Sequence, residues 1–315
     1  GRMDGFIARR DVLSFTEVRK LSERSDLPGL IQLASHLGAL CLTGLLVWLA
    51  LPTWWLLIPA WLLHGTLLNF LFCPLHETIH RTPFRSKWLN DVVANFTGFV
   101  MLLPPVYFRY FHFDHHRYTQ IPGKDPELAE PKPAGFWSWA WYMTGLKSYW
   151  WAETAMFVRH ALGRVNAPFV PEEGKAAVIL EARIYLALYI AVIAGSIALG
   201  TWAAVIWWAA PIVLASFTLR AYLMAEHTLL PHTDDMLINT RTTRSNALVR
   251  WMAWQMPYHC EHHTFPTIPF HALKATHGRI ADRLGATSPG YIHFTGKLLK
   301  SFHEAPAAAP ESAPR

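Results

Sequence analysis

The stretch Phe111-His112-Phe113-Asp114-His115-His116-Arg117 contains a His-x-x-His-His pattern, around which the rest of the chain can be interpreted. A second copy, His259-Cys260-Glu261-His262-His263, lies far downstream, and His76-Glu77-Thr78-Ile79-His80 precedes both. On a helix, residues at i, i+3 and i+4 share one face, so each cluster presents its imidazoles to one side. Neutral imidazole suits iron, zinc, copper or nickel. Eight histidines are too many for one tetrahedral zinc ion, so the clusters predict a site with two metal ions.

The composition is typical of a membrane protein. Hydrophobic residues make up 52% of the chain and charged residues only 16%. There are 15 tryptophans, a residue type that is enriched at membrane interfaces. The net charge of +6 is spread along the chain, so no nucleic-acid partner is expected. The three cysteines are dispersed and odd in number, which indicates no disulfide framework. Residues 1–28 lack an apolar core, so no cleavable signal peptide is expected there.

Four apolar segments predict transmembrane helices, at residues 30–50, 54–72, about 183–199 and 202–224. The first two are each long enough to cross a bilayer core of about 30 Å at roughly 1.5 Å per residue. The turns at Pro52 and at Gly200-Thr201 are so short that each pair should form a hairpin. Inside the second span, His64 is interpreted as structural or substrate-facing.

Two further segments should lie at the membrane surface. Residues 95–108 are apolar but too short to span, and they end in Pro104-Pro105, so they should be interfacial or re-entrant. Residues 135–151 are crowded with Trp and Tyr, as expected of a segment at the level of the lipid headgroups.

The basic residues indicate the orientation. Of the 28 Lys and Arg, six precede the first span, twelve lie between Arg81 and Arg183, and ten lie at or after Arg220. Neither hairpin turn contains one, so the positive-inside rule places both hairpins as entering from the cytoplasm, with all three histidine clusters on that side. The predicted fold is all-α and integral to the membrane, with four transmembrane helices in two hairpins and a cytoplasmic helical cap that carries the metal site. Residues 1–29 are predicted as a cytoplasmic segment, 30–300 as the membrane domain and 301–315 as a disordered tail.

These features resemble the membrane-bound fatty acid desaturase family, and in particular a bacterial branch of it. The family has three histidine boxes, two hydrophobic hairpins and a non-haem diiron centre on the cytoplasmic face. The boxes match as His76-x-x-x-His80, His112-x-x-His115-His116 and His259-x-x-His262-His263, the last followed by Thr264-Phe265-Pro266. His115-His116-Arg117-Tyr118-Thr119-Gln120, with Asp125-Pro126-Glu127 after it, supports the bacterial branch.

The resemblance implies a ligand set and partners. All eight box histidines would bind two iron ions, with O2 as co-substrate. In some members a further histidine just past the last span completes the site. His227 is the matching residue, although Leu223 replaces the Asn found one turn earlier in those members. The substrate would be a lipid or acyl chain. Because no haem-binding module is apparent, electrons would come from an external ferredoxin or cytochrome b5 with its reductase. The location would be a bacterial inner membrane, with the metal site on the cytoplasmic side.

Several carboxylates could orient the histidines. Glu77, Asp114 and Glu261 lie inside the boxes, and carboxylates next to metal ligands commonly fix the imidazole tautomer. Asp114 is the favoured one of the three, and Asp125, Asp234 and Asp235 are further candidates. Arg241 could pair with one of these acids.

Three alternatives stay open. A diiron hydroxylase or ketolase acting on a lipid or another apolar substrate would use the same boxes. His76-Glu77-Thr78-Ile79-His80 also matches the His-Glu-x-x-His motif of zinc proteases, with Glu77 as general base. A metal transporter could line a path with histidines, but such sites usually lie near the membrane midplane.

Overall fold

The computed structural model describes residues 11–304, and within them the chain is mostly helical. The α-helices are α1 (Phe15–Leu21), α2 (Asp26–Ala50), α3 (Trp54–Asn69), α4 (Phe72–His80), α5 (Lys87–Met101), α6 (Pro105–Tyr118), α7 (Phe136–Met143), α8 (Ala152–Ala161), α9 (Glu172–Ala198), α10 (Ala210–Leu214), α11 (Ser216–His227), α12 (Met236–Asn239), α13 (Ala247–Met252), α14 (His259–Thr264), α15 (Phe270–Ile280) and α16 (Tyr291–Ser301). Short 3-10 turns cover Pro126–Leu128 and Ala281–Arg283, and π-helical turns cover Leu146–Trp151 and Val205–Ala209.

One pair of two-residue strands departs from the all-helical prediction. Strands β1 (Thr242–Thr243) and β2 (Thr287–Ser288) pair in parallel, with Thr242 opposite Thr287. The predicted disordered tail falls mostly on residues 305–315, which lie outside the described residues.

Three helical stretches are long and apolar enough to cross a membrane: Asp26–Ala50, Trp54–His80 and Glu172–Ala198. Two bent pairs, α5 with α6 and the segment Val205–Leu214 with α11, raise the number to five if each pair counts as one span. Large apolar side chains on α2 and α9 point outward, among them Trp48 and Ile193, as expected of surfaces that meet lipid tails. The prediction of a multi-pass membrane protein is confirmed at this level.

The membrane helices are held together partly by buried polar contacts. His64 on α3 shares a hydrogen bond of 2.8 Å with Thr43 on α2, and its other ring nitrogen lies 3.0 Å from the carbonyl oxygen of Trp207. Polar groups in an apolar environment need such internal partners. His64 is therefore a structural residue. Gly65 adds close packing, because a Cβ at this position would lie 1.9 Å from the carbonyl oxygen of Pro211.

Two predicted spans differ from the observed helices. The third was expected to begin near Arg183, but α9 begins at Glu172, because its charged first turns are helical without being apolar. The fourth was expected to be one helix over residues 202–224. It contains a π-helical turn and bends by 41° between Leu214 and Ser216 before α11 continues to His227. Hydropathy detects an apolar stretch and is insensitive to a change of axis within it.

The segment predicted as interfacial or re-entrant is the corner between α5 and α6. Leu102, which follows α5, adopts left-handed backbone angles with φ of 55°, and α6 starts at Pro105. Proline is favoured in the first turn of a helix because it needs no N–H partner there. The two helices meet at 93°, which turns α6 and its histidines toward α4.

Candidate metal centre

Four helices bring the histidines together. His76 and His80 lie one turn apart on α4, and α6, α14 and the end of α11 supply the others. The i, i+3, i+4 spacing gives each helix one imidazole-bearing face, as the sequence predicted. All nine predicted ligands lie in two neighbouring groups: His76, His80, His112, His116 and His262 in the first, and His115, His227, His259 and His263 in the second.

The first group, called here the five-histidine group, draws on α4, α6 and α14. Each of its members offers one ring nitrogen, and these nitrogens all lie within 4.8 Å of one another. The Nε2 atom of His116 is 2.8 Å from that of His112 and 3.1 Å from that of His262. Three helices that are distant in the chain thus point their imidazoles at one small volume.

The second group, called here the four-histidine group, consists of two overlapping sets. His115, His227 and His263 form one set, and His227 and His259 form the other with the carboxylate of Glu226. The Nε2 atoms of His227 and His259 are 3.2 Å apart. The rings of His116 and His263 stack at a centroid distance of 4.0 Å, so the two groups are adjacent.

The donor atoms fit metal ions. The Nε2 atoms of His76, His80 and His263 are buried and make no hydrogen bond within residues 11–304, and a buried polar atom without a partner costs free energy. A metal ion about 2.0–2.1 Å from each nitrogen would supply the missing partner. The spacing of the nitrogens within each group is compatible with a shared ion. Imidazole donors with a nearby carboxylate suit iron as well as zinc.

The protonation state of the histidines on α14 also favours metal binding. Burial lowers the pKa of His259, His262 and His263 well below the usual range, and neighbouring imidazoles lower it further. Neutral imidazole is the form that binds a metal ion, so these side chains are ready to bind one without first losing a proton.

Asp125 orients a histidine of the four-histidine group. Its Oδ1 atom accepts a hydrogen bond of 2.9 Å from Nδ1 of His115, which leaves Nε2 facing the group. Burial raises the pKa of Asp125, but His115 and the backbone N–H groups of Gln120 and Glu127 lower it more, so the pKa is below its ordinary value. A carboxylate in this position fixes the imidazole tautomer and makes the ligand more basic.

Polar groups also lie beside the Nδ1 atoms of three other histidines of the four-histidine group. Nδ1 of His227 donates to the carbonyl oxygen of Asn239 at 3.2 Å, and the Thr119 hydroxyl lies 3.2 Å from Nδ1 of His263. Oε1 of Glu226 lies 3.4 Å from Nδ1 of His259. Sequence reasoning missed all of these partners. Only Glu226 had a detectable signal, because it directly precedes His227.

The carboxylates inside the boxes behave differently from the expectation. Asp114, the favoured one, pairs with Arg117 at 3.7 Å. Glu77 and Glu261 are fully buried. Glu77 accepts from the backbone N–H of Phe270, and Glu261 bonds His277 on α15 at 2.5 Å, so both connect a histidine helix to the C-terminal part of the chain.

Asp235, a candidate for orienting a histidine, and Arg241, a candidate partner of such an acid, both make other contacts. The Asp235 carboxylate caps α12 by accepting from the N–H of Leu237. Arg241 donates to the carbonyl oxygens of Ala225 and Thr228, and its guanidinium lies over the ring of Phe294.

The geometry also bears on the zinc-protease alternative. Oε2 of Glu77 accepts from the N–H of Phe270 and from the Thr82 hydroxyl, and Oε1 lies 3.7 Å from Nδ1 of His76. His76 and His80 share their group with three histidines from α6 and α14. The motif is therefore part of a larger site rather than a separate centre.

A cavity of about 340 Å³ lies against both groups and is lined by His76, His112, His115 and His259. Apolar side chains form much of its wall, including Phe72, Leu103, Phe108, Phe111 and Met256. Such a cavity can hold an apolar chain next to the histidines while limiting the access of water.

Asp125→Asn should slow product formation about 10–100-fold, the usual effect of losing a carboxylate that orients a metal-binding histidine. The reason is that an amide neither fixes the His115 tautomer reliably nor raises its basicity. Initial rates and metal content of the purified protein would measure the effect. The matched control is Asp114→Asn on the same helix face as Arg117, which should leave the rate within about twofold. Equal rates for both variants would contradict the assigned role.

Comparison with known proteins agrees with this geometry. Residues 52–295 match the family model described as fatty acid desaturase. The chain is 26% identical over 295 residues to an sn-1 oleoyl-lipid 12-desaturase of Picosynechococcus sp., covering 85% of this chain and 81% of the relative. It is 25% identical to a dihydrorhizobitoxine desaturase of Bradyrhizobium elkanii, covering 82% and 76%. It is also 26% identical to a sphingolipid delta(4)-desaturase/C4-monooxygenase of Mus musculus, covering 70% and 64%.

The family match extends over more than half of the chain and includes all three histidine clusters. The same stretch contains every helix that contributes a histidine to the two groups. The chain is an oxidoreductase and belongs to the fatty acid desaturase family.

Proposed function

We propose that this membrane fatty acid desaturase introduces a double bond into an acyl chain with two iron ions and O2. The observation that carries the proposal is the arrangement of nine histidines in two adjacent groups beside a largely apolar cavity. No protein side chain can oxidise an unactivated C–H bond, so bound iron with O2 would supply the oxidant.

The residues of the chain have three tasks in this reaction. The five-histidine and four-histidine groups would each hold one iron ion, and Asp125 fixes the orientation of the His115 imidazole through their hydrogen bond. Phe108 and Phe111 line the cavity beside His112 and position the acyl chain. The buried setting of the histidines keeps bulk water from the reacting carbons.

The electron balance requires an external donor. Converting a CH2–CH2 unit into CH=CH releases two electrons and two protons, whereas reducing O2 to two waters consumes four of each. The donor therefore supplies two electrons, and a ferredoxin or a cytochrome b5 with its reductase can do so.

Hydroxylation is the second candidate reaction. One relative carries both activities in its name, desaturase and monooxygenase, and both reactions begin with removal of one hydrogen from the chain. They diverge according to whether the neighbouring carbon loses a second hydrogen or the first gains oxygen. A displacement of about 1 Å in the reacting geometry is enough to change the outcome.

The mass of the product distinguishes desaturation from hydroxylation. Membranes containing the protein, supplied with acyl substrates, O2, NAD(P)H and the donor system, should give products two mass units lighter. Membranes containing His259→Ala serve as the control and should give none. Products sixteen mass units heavier, without alkene, would overturn desaturation in favour of hydroxylation.

We further propose four spans in two hairpins, in a bacterial inner membrane, with the nine histidines on the cytoplasmic side. The distribution of Lys and Arg supports this orientation. The turns at Pro52 and at Gly200 would face outward.

Cysteine labelling tests this orientation. In a Cys41→Ser background, which removes the exposed native thiol, Pro52→Cys and Thr201→Cys should react with an impermeant reagent added to the outer face. Lys124→Cys and Lys274→Cys should react only after the membrane is opened. Labelling of either lysine position in intact cells would refute the model.

A further inference from the structure

The cavity beside the histidines contains more charge than an acyl chain needs. Its wall includes Glu127, Glu130, Lys132, Glu153 and Arg220 in addition to the metal-facing imidazoles. Glu130 and Lys132 are exposed, and Oε1 of Glu127 lies 3.7 Å from Nε2 of His115. Glu153 and Arg220 are therefore the two of these five residues that binding of a hydrocarbon alone would not explain. Glu153 and Arg220 lie on different helices, α8 and α11.

One carboxyl oxygen of Glu153 has no hydrogen-bond partner among residues 11–304. This atom, Oε2, is buried. Burial raises the pKa of this carboxyl to about 8. Helical backbone continues from Leu146–Trp151 into α8, so Glu153 is not placed at a free helix N-terminus that would stabilise it. With this pKa the carboxyl is mainly protonated at neutral pH and offers both a donor and an acceptor, so a ligand that carries an amine or a hydroxyl can satisfy it.

Arg220 contributes a positive charge to the wall of the same cavity. Its Nε donates to the carbonyl oxygen of Tyr142 and one Nη to the Ser148 hydroxyl, both at 2.6 Å, and the guanidinium lies 3.7 Å above the Tyr142 ring. These contacts hold the guanidinium in place against the cavity wall. The side chain is almost completely buried. Its fixed positive charge can attract a carboxylate or another acceptor on the ligand.

A second cavity differs from the cavity beside the histidines in the charge of its wall. It has a volume of about 730 Å³, lies between α8, α9 and the segment Val205–Leu214, and has no charged residue in its lining. Trp150 lines it, while the preceding Tyr149 lines the metal-facing cavity. The two spaces therefore lie on opposite sides of one stretch of backbone. Purely apolar space is available in this part of the protein, so the charges are specific to the cavity next to the histidines.

We propose that Glu153 and Arg220 recognise a polar group of the substrate that carries an amine or a hydroxyl. This inference rests on the proposed function and specifies its substrate class.

Calorimetric binding to the iron-loaded protein in phospholipid nanodiscs tests the proposal, with empty nanodiscs as the blank. The probes are 2-aminodecanoic acid, 2-hydroxydecanoic acid and decanoic acid, which differ only in the donor beside the carboxylate. The unaltered protein should bind one of the first two about tenfold or more tightly than decanoic acid. Which of them it prefers distinguishes an amine from a hydroxyl.

Two variants and one control assign the preference to Glu153. Glu153→Leu should bind all three probes within about twofold of one another, because it removes the acceptor. Glu153→Gln keeps an acceptor oxygen and should retain part of the preference, which separates loss of recognition from loss of folding. Glu173→Leu, an exposed acid on α9, should behave as the unaltered protein.

Two results would overturn the proposal: equal binding of all three probes by the unaltered protein, or an unchanged preference in Glu153→Leu. Neither result affects the proposed desaturation, which is judged by the mass of the product. Conversely, absence of any oxidised product would refute the proposed function while leaving the binding preference measurable.

Discussion

His80→Ala and His259→Ala should each reduce product formation about a thousandfold or more, because a bound metal ion contributes several kcal/mol to its reaction. The two residues belong to different groups, His80 to the five-histidine group and His259 to the four-histidine group. Each variant should therefore lose iron chiefly from its own group, so that iron falls from two toward one per chain. The double variant should hold close to none. Iron content per chain and the product rate are the two measurements.

The matched control is His293→Ala, an exposed histidine on α16. It should keep the iron content and the rate of the unaltered protein, and all variants should insert into the membrane and elute as the unaltered protein does. Full activity of either His80→Ala or His259→Ala in properly inserted protein would contradict the ligand assignment.

Replacement of iron by zinc should abolish turnover without preventing binding. Imidazole ligands accept zinc readily, but zinc has no accessible redox change and cannot take part in the reduction of O2. Protein stripped with a chelator and reloaded with Fe²⁺ should regain the product two mass units lighter, whereas the zinc-loaded protein should give none.

Metal analysis of each reloaded sample is the necessary control, since it shows that both preparations hold metal. Zinc-loaded protein that formed this product at the full rate would contradict the requirement for a redox-active metal ion. Iron-loaded protein without activity, when the donor system is competent, would equally count against the proposal.

The grouping of the histidines was predictable from the sequence because helix periodicity determines it. His112, His115 and His116 must share a face if residues 105–118 are helical, and the same holds for the cluster on α14. His227 was a different case. No spacing rule connects it to the boxes, and only the family resemblance identified it before the structure placed it beside His259.

The partners of the histidines were not predictable in this way, because they depend on how distant segments meet. Asp114 lies next to His115 in the chain yet turns toward Arg117. Asp125, ten residues from His115, makes the hydrogen bond. A loop has no fixed periodicity, so its side chains can be assigned only when the path of the backbone is known.

The same limit applies to the membrane segments. Apolar runs predicted long apolar helices, and three to five candidate spans are found, but hydropathy does not detect the 41° bend before α11 or the early start of α9 at Glu172. Both depend on backbone geometry and on helix-forming charged residues, which an apolar scale does not detect.

The division of each histidine group between early and late parts of the chain has a consequence for biosynthesis. The five-histidine group needs His262, and the four-histidine group needs His227, His259 and His263. A growing chain therefore inserts its first helices long before either set of ligands can be completed. Because metal affinity arises only when the ligands are gathered, iron should enter after the ribosome has finished residue 263. Cells short of iron would accumulate inserted apoprotein rather than half-made chains.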